Sequence, residues 1–131
     1  MPISRSTLAL CAICFAAGAG AMWAQQQGAA SHREPQFENE HVQVWKSVVL
    51  PKQPLTFHRH DHGRALVALT DGQLKVVDKE GKTLDTYDLK AGKAMWLGVD
   101  PPGQMHADVN AGTKPIEVIV VQLKNDVKAA K

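Results

Sequence analysis

The chain has 131 residues, 44% of them hydrophobic, and 15 Lys and Arg against 13 Asp and Glu give a formal net charge of +2. From this length one compact domain is expected, rather than a multidomain enzyme, a solenoid array or a polytopic membrane protein. The near-balanced charge, with no run of Lys and Arg interleaved with aromatics, excludes nucleic-acid binding by phosphate neutralisation.

Residues 1–24 open with Ser4, Arg5, Ser6 and Thr7, run on as an apolar stretch over 8–17, and close on small residues at Ala19, Gly20 and Ala21. A single basic residue, no acid and a short apolar core form the pattern of a signal peptide, so the mature chain is expected to begin at Met22 or, after Ala24, at Gln25. An apolar core of about ten residues, followed by Gly18 and Gly20, falls short of the ~20 that span a bilayer. An exported protein is expected, periplasmic or secreted, with no stable membrane insertion after cleavage. Cys11 and Cys14 both lie in this apolar run with no second cysteine pair, so their Cys-x-x-Cys spacing carries no metal or redox meaning and the mature chain has no disulfide.

Residues 25–40 are polar, aperiodic and broken by Gly28 and Pro35, which is the composition of a linker. From His41 the pattern changes to short β-branched runs separated by turn residues. Residues 41–50, 55–60, 65–70, 73–77, 83–89, 93–97, 104–109 and 116–123 each read as a strand. Around eight short strands, without helical periodicity, predict an all-β domain over 41–123, a closed antiparallel barrel or a jelly-roll sandwich. Residues 124–131, with Lys124, Lys128 and Lys131 among alanines and Asp126, are expected to form a flexible tail.

Chemistry concentrates in the histidines. In a strand, side chains alternate, so His58 and His60 project to one face and can lean onto one metal ion. His62 is a further candidate ligand if the strand continues, whereas Gly63 signals its end. His32, in the linker, and His41, at the start of the first strand, are expected to be solvated. A second constellation, Pro101-Pro102-Gly103-Gln104-Met105-His106-Ala107-Asp108-Val109-Asn110, places a tight turn just before His106. Asp108 shares the face of His106 and is a candidate to orient a ligating imidazole, whereas Asp61 points away from His60. Gln104 is a candidate rim residue, and Asn110 reads as a hydrogen-bonding turn residue.

These two stretches resemble the motifs of the cupin superfamily. The first motif, Gly-x5-His-x-His-x3–4-Glu-x6-Gly, is followed by His58, His60 and Gly72; the second, ending Pro-x-Gly-x-x-His-x-x-x-Asn, is followed by Pro101, Gly103, His106 and Asn110. The likeness covers roughly residues 41–123 and implies a cupin-like jelly-roll with His58, His60 and His106 as metal ligands. The departures are Lys52 at the opening glycine, a longer loop between Gly92 and Pro101, and Ala65 where the ligand glutamate stands, with Arg64 beside it. Some cupins, the thiol dioxygenases among them, work with three histidines and no carboxylate. If position 65 faces inward, Arg64 faces away from the ion; if 64 faces inward, its guanidinium favours an anionic ligand over a bare ion.

Three neutral imidazoles would leave the charge of a divalent iron, manganese, zinc, copper or nickel uncompensated, so a small-molecule or anionic ligand is expected beside it. Two function classes follow: a metal-dependent oxygenase or isomerase acting on a small molecule, and a non-catalytic module that holds a metal or small ligand. The resemblance also implies pairing as a homodimer.

Overall fold

The computed structural model describes residues 30–127; the expected signal peptide with Cys11 and Cys14, and the end of the tail, lie outside them. Eight strands follow in order: β1 (His32–Glu38), β2 (Val42–Val49), β3 (Arg64–Ala68), β4 (Gly72–Val77), β5 (Thr83–Leu89), β6 (Ala94–Leu97), β7 (Ala107–Asn110) and β8 (Ile116–Leu123). Five form one sheet in the order β1-β2-β8-β3-β6 and three form a second, β5-β4-β7, every pairing being antiparallel. No helix among the described residues is long and apolar enough to cross a membrane. The all-β expectation is met.

Alternation builds the core. In β8, Ile116, Val118 and Val120 turn inward, and β3 answers with Leu66 and Ala68. Trp45 and Val49 from β2, Leu74 from β4, Leu89 from β5 and Leu55 complete one buried cluster between the two sheets. Burying such aliphatic side chains contributes about 1.5–3 kcal/mol each before entropy is set against it. The inward phase of β3 also settles its first residue. Arg64 lies two positions before Leu66, so it faces the interior and is 5% exposed, while Ala65 takes the other phase.

Two segments depart from the sequence expectation. Residues 32–38, read as linker, form β1, which pairs with β2 from His32↔Val48 to Glu38↔Gln43. As an edge strand, mostly exposed, it shows no apolar alternation, and its Pro35 is tolerated at an irregularity of the ladder between Pro35 and Phe37. Glu34 pairs with Lys46 at 2.9 Å and the Arg33 guanidinium lies 4.8 Å from the centre of the Trp45 ring, so polar contacts hold β1 where apolar ones are few. The ordered domain therefore begins before His41.

Residues 55–60, read as a strand, form only an isolated bridge at His58. The backbone still runs along β7, but unevenly. Lys52 N–H bonds to Asn110 C=O at 3.0 Å, Leu55 N–H to Asp108 C=O at 3.0 Å, and His58 N–H to His106 C=O at 2.9 Å. The segment advances three residues for every two of β7. Each step inserts an extra residue, as in a bulge, which breaks the regular ladder. The run is entered through a turn in which Gln53 N–H bonds Leu50 C=O, with Pro51 at its second position and Lys52 at φ 60°.

Candidate metal centre

His58 and His106 face each other across the bridge, each amide donating to the other's carbonyl at 2.9 Å. His106 is delivered by the turn over 101–104, closed by Gln104 N–H on Pro101 C=O at 3.1 Å and allowed by Gly103 at φ 72°. His60, two residues beyond His58, turns its ring to the same place. The ring centroids stand 4.4 Å apart for His58 and His106, 4.9 Å for His58 and His60, and 5.5 Å for His60 and His106. One ring nitrogen from each lies within 4.8 Å of the other two. The structure thus brings together the three histidines that the two motifs single out.

Each imidazole is held from outside by its Nδ1. His58 Nδ1 lies 2.7 Å from Thr56 C=O, His60 Nδ1 lies 2.9 Å from Gln122 Oε1, and His106 Nδ1 lies 3.3 Å from Asp100 Oδ2. A neutral imidazole that donates Nδ1–H to an oxygen keeps its lone pair on Nε2. Trp45 stacks parallel to His60, with centroids 6.1 Å apart, and walls the ring in. Burial, helped by the Arg64 charge, holds His60 down to about 3, and burial likewise lowers His58 against the opposing pull of its Thr56 hydrogen bond and, after it, of Asp108. These two rings are neutral at ordinary pH, as ligands must be.

The donor set fits a metal ion. His58 Nε2 is buried and has no hydrogen-bond partner, an orphaned acceptor that a cation would satisfy. The chemistry of three imidazoles suits a divalent transition metal.

Asp100 is the residue that sequence reading missed. Its Oδ2 accepts the His60 amide at 2.6 Å and faces His106 Nδ1, while its Oδ1 lies 3.7 Å from Arg64 Nη2. Arg64 also donates Nη1–H to Gly98 C=O at 3.0 Å. The inward guanidinium is therefore tied to a carboxylate rather than aimed unpaired at the histidines. The sequence carries one signal for this, an acid immediately before Pro101 in the turn that delivers His106.

Other candidates go elsewhere. His62 leaves the cluster: its Nδ1 meets Asp126 Oδ1 at 2.7 Å, and Asp126 Oδ2 accepts the Gly63 amide at 2.7 Å. The strand that would have carried His62 inward ends at the bridge. A Cβ at Gly63 would sit 2.4 Å from Cζ2 of the exposed Trp96, so a larger residue there would push that ring aside. Asp61 pairs with Arg59 at 2.6 Å and is exposed, as its phase predicts. Asp108 faces His58, at 3.5 Å from Nε2, and not His106. Gln104 enters through its backbone amide in the turn. Asn110 does act as a hydrogen-bonding residue: its amide donates to Val49 C=O at 2.9 Å and Lys114 C=O at 2.7 Å, and its Oδ1 accepts Gly112 N–H at 2.9 Å.

No family model and no curated protein matches the sequence. Among solved structures, the chain is similar to a cupin domain from Bordetella pertussis at TM-score 0.62 and 23% identity, covering 72% of this chain and 94% of that one. A double-stranded β-helix protein from Klebsiella pneumoniae is similar at TM-score 0.55 and 21% identity, over 76% of this chain and 81% of that one. An RmlC-like cupin family protein from Methanocaldococcus jannaschii gives TM-score 0.55 at 16% identity, over 72% and 80%. The fold is the cupin double-stranded β-helix.

Proposed function

We propose that this cupin-fold chain holds one divalent transition metal ion through Nε2 of His58, His60 and His106, and binds a small anionic molecule beside it. The observation that carries this reading is the outer ring of acceptors. Thr56 C=O and Gln122 Oε1 each engage an Nδ1 and Asp100 Oδ2 faces the third at 3.3 Å, which leaves the Nε2 atoms to hold the ion. Iron, manganese, zinc, copper and nickel are the candidates. Bound there, such an ion supplies Lewis-acid polarisation of a ligand oxygen and acidifies a bound water.

The residues themselves fix tautomers, exclude water and screen charge. Trp45 and the apolar core close the inner side, and Asp100 neutralises Arg64. The interior cavity lined by His60, Arg64, Leu66 and Asp108 measures about 20 Å³, enough for roughly one water-sized molecule. An organic ligand would meet the site from outside, at the groove of about 370 Å³ lined by Ser31, Arg33, Thr56, Phe57 and His58. Arg33 supplies positive charge there. An oxygenase or isomerase acting on a small molecule at this mouth is the catalytic form of the proposal. The small interior favours the second form, a non-catalytic holder of metal and small ligand, and turnover of small carboxylates by metal-loaded protein separates the two.

Elemental analysis of protein purified without tags or chelators tests the metal itself. Near-stoichiometric metal, lost in both His58→Ala and His106→Ala, is the expected result. Protein that stays empty after incubation with each of the five metals overturns the proposal. Export to the periplasm or medium belongs to the same reading, on the composition of residues 1–24. N-terminal sequencing of native material should begin at Met22 or Gln25, and a Met1 start in the cytosol would refute it.

A further inference from the structure

We infer that Asp108 supplies the carboxylate that position 65 lacks, as a fourth ligand to the same ion; this rests on the metal reading above. The warrant is a meeting of two acceptors. His58 gives its Nδ1–H to Thr56 C=O, so its Nε2 presents a lone pair. That atom is buried and unpartnered. Asp108 Oδ2 stands 3.5 Å from it, on a side chain 15% exposed. A lone pair and a carboxylate oxygen facing each other away from water repel, and a cation between them turns repulsion into attraction.

The distance agrees. It is longer than the 2.7–3.2 Å of an ordinary N–H···O bond. Two donors bound at about 2.0–2.1 Å to one tetrahedral ion lie about 3.3–3.4 Å apart, close to the Asp108–His58 separation; Asp108 stands outside the 4.8 Å that joins the three ring nitrogens, so its side chain swings toward His60 and His106 to complete the set. The backbone explains why the two meet. Alternation along β7 puts Asp108 on the face of His106, and the uneven pairing sets Leu55 against Asp108 while His58 stands against His106. The other nearby acids are committed, Asp100 to Arg64, His106 and the His60 amide, and Asp61 to Arg59. Arg33 lines the same cavity and its charge acts on Asp108, but its guanidinium lies over Trp45 and forms no ion pair with that carboxylate. With Asp108 bound, a tetrahedral ion is closed, and an octahedral ion keeps two positions rather than three.

Co²⁺ titration of metal-free protein, followed by visible absorption, tests this. Asp108→Asn should weaken Co²⁺ binding by more than about 100-fold, beyond the 10–100-fold of an outer hydrogen-bond partner, and should shift the d–d bands. Asp108→Glu should restore tight binding with a displaced spectrum, and Asp61→Asn should behave as wild type. Circular dichroism checks that each variant is folded; were Asp108→Asn unfolded, the displaced or unaltered bands of Asp108→Glu decide. Unchanged affinity and spectrum in Asp108→Asn overturn the inference while leaving the three-histidine reading intact. Weaker binding with an unaltered spectrum also overturns it, making Asp108 a positioning residue. Wild-type protein that takes up no Co²⁺ overturns both readings.

Discussion

Lys52 stands where the first motif opens on glycine, and its backbone has the left-handed conformation that a glycine would adopt without cost. A Cβ in that region costs about 1–2 kcal/mol, part of which a glycine returns as entropy of the unfolded chain. Lys52→Gly should therefore stabilise the domain by about 0.5–1 kcal/mol, read as a higher urea midpoint with unchanged m-value. Asn110 is the opposite case, a motif residue present and fully used. It is 1% exposed and its side chain ties the end of β2 to the loop that leads into β8. Asn110→Ala leaves the carbonyl of buried Val49, the carbonyl of exposed Lys114 and the amide of exposed Gly112 short of a partner, at about 1–3 kcal/mol for each that water cannot reach. A loss of at least about 2 kcal/mol in chemical denaturation is expected.

Strand β8 shows how far alternation alone governs an element. Ile116 and Ile119 have the same side chain in the same central strand, but Ile116 is in the core and Ile119 is in the opposite phase. Ile116→Ala should cost about 2–5 kcal/mol and Ile119→Ala clearly less, compared by thermal or urea unfolding. The β-branched runs of β2, β4 and β8 were legible because one face of each is apolar. Strand β1 was not, since an edge strand held by Glu34, Lys46 and Arg33 has no apolar stripe to display. Residues 55–60 misled for the converse reason. Their composition suits a strand, but strand pairing depends on backbone register, and the steps from Lys52 to His58 do not keep pace with β7. The phase of β3 was ambiguous because Ala65-Leu66-Val67-Ala68 is apolar throughout; only the partners Val118 and Val120 decide which side is inward.

At the scale of the whole molecule, the histidine cluster links stability to pH. His60 is held down to about 3 by burial, whereas an unfolded histidine takes up its proton near 6.5. Between those values the unfolded chain binds a proton that the folded one refuses, so stability is full above about pH 6.5 and falls as pH drops toward 3. Urea titration of metal-free protein should show the midpoint falling between roughly pH 6.5 and 4.5, with a shallower slope in His60→Gln. The positions of the three histidines could be read from two short motifs because Pro101, Gly103 and the His-x-His spacing encode local geometry. Asp100 could not, because its role exists only where the turn over 101–104, the start of β3 and the His60 backbone converge in space.

The three outer acceptors also differ in kind: a peptide carbonyl for His58, a side-chain amide for His60, a carboxylate for His106. A carboxylate draws the Nδ1 proton more strongly than a neutral oxygen, which gives the ring more imidazolate character and makes its Nε2 the stronger electron donor. The trio is therefore graded, three copies of one amino acid with unequal donor strength. An ion held as proposed would meet three unequal donors, with His106, the one ring that faces a carboxylate through Nδ1, the strongest of them.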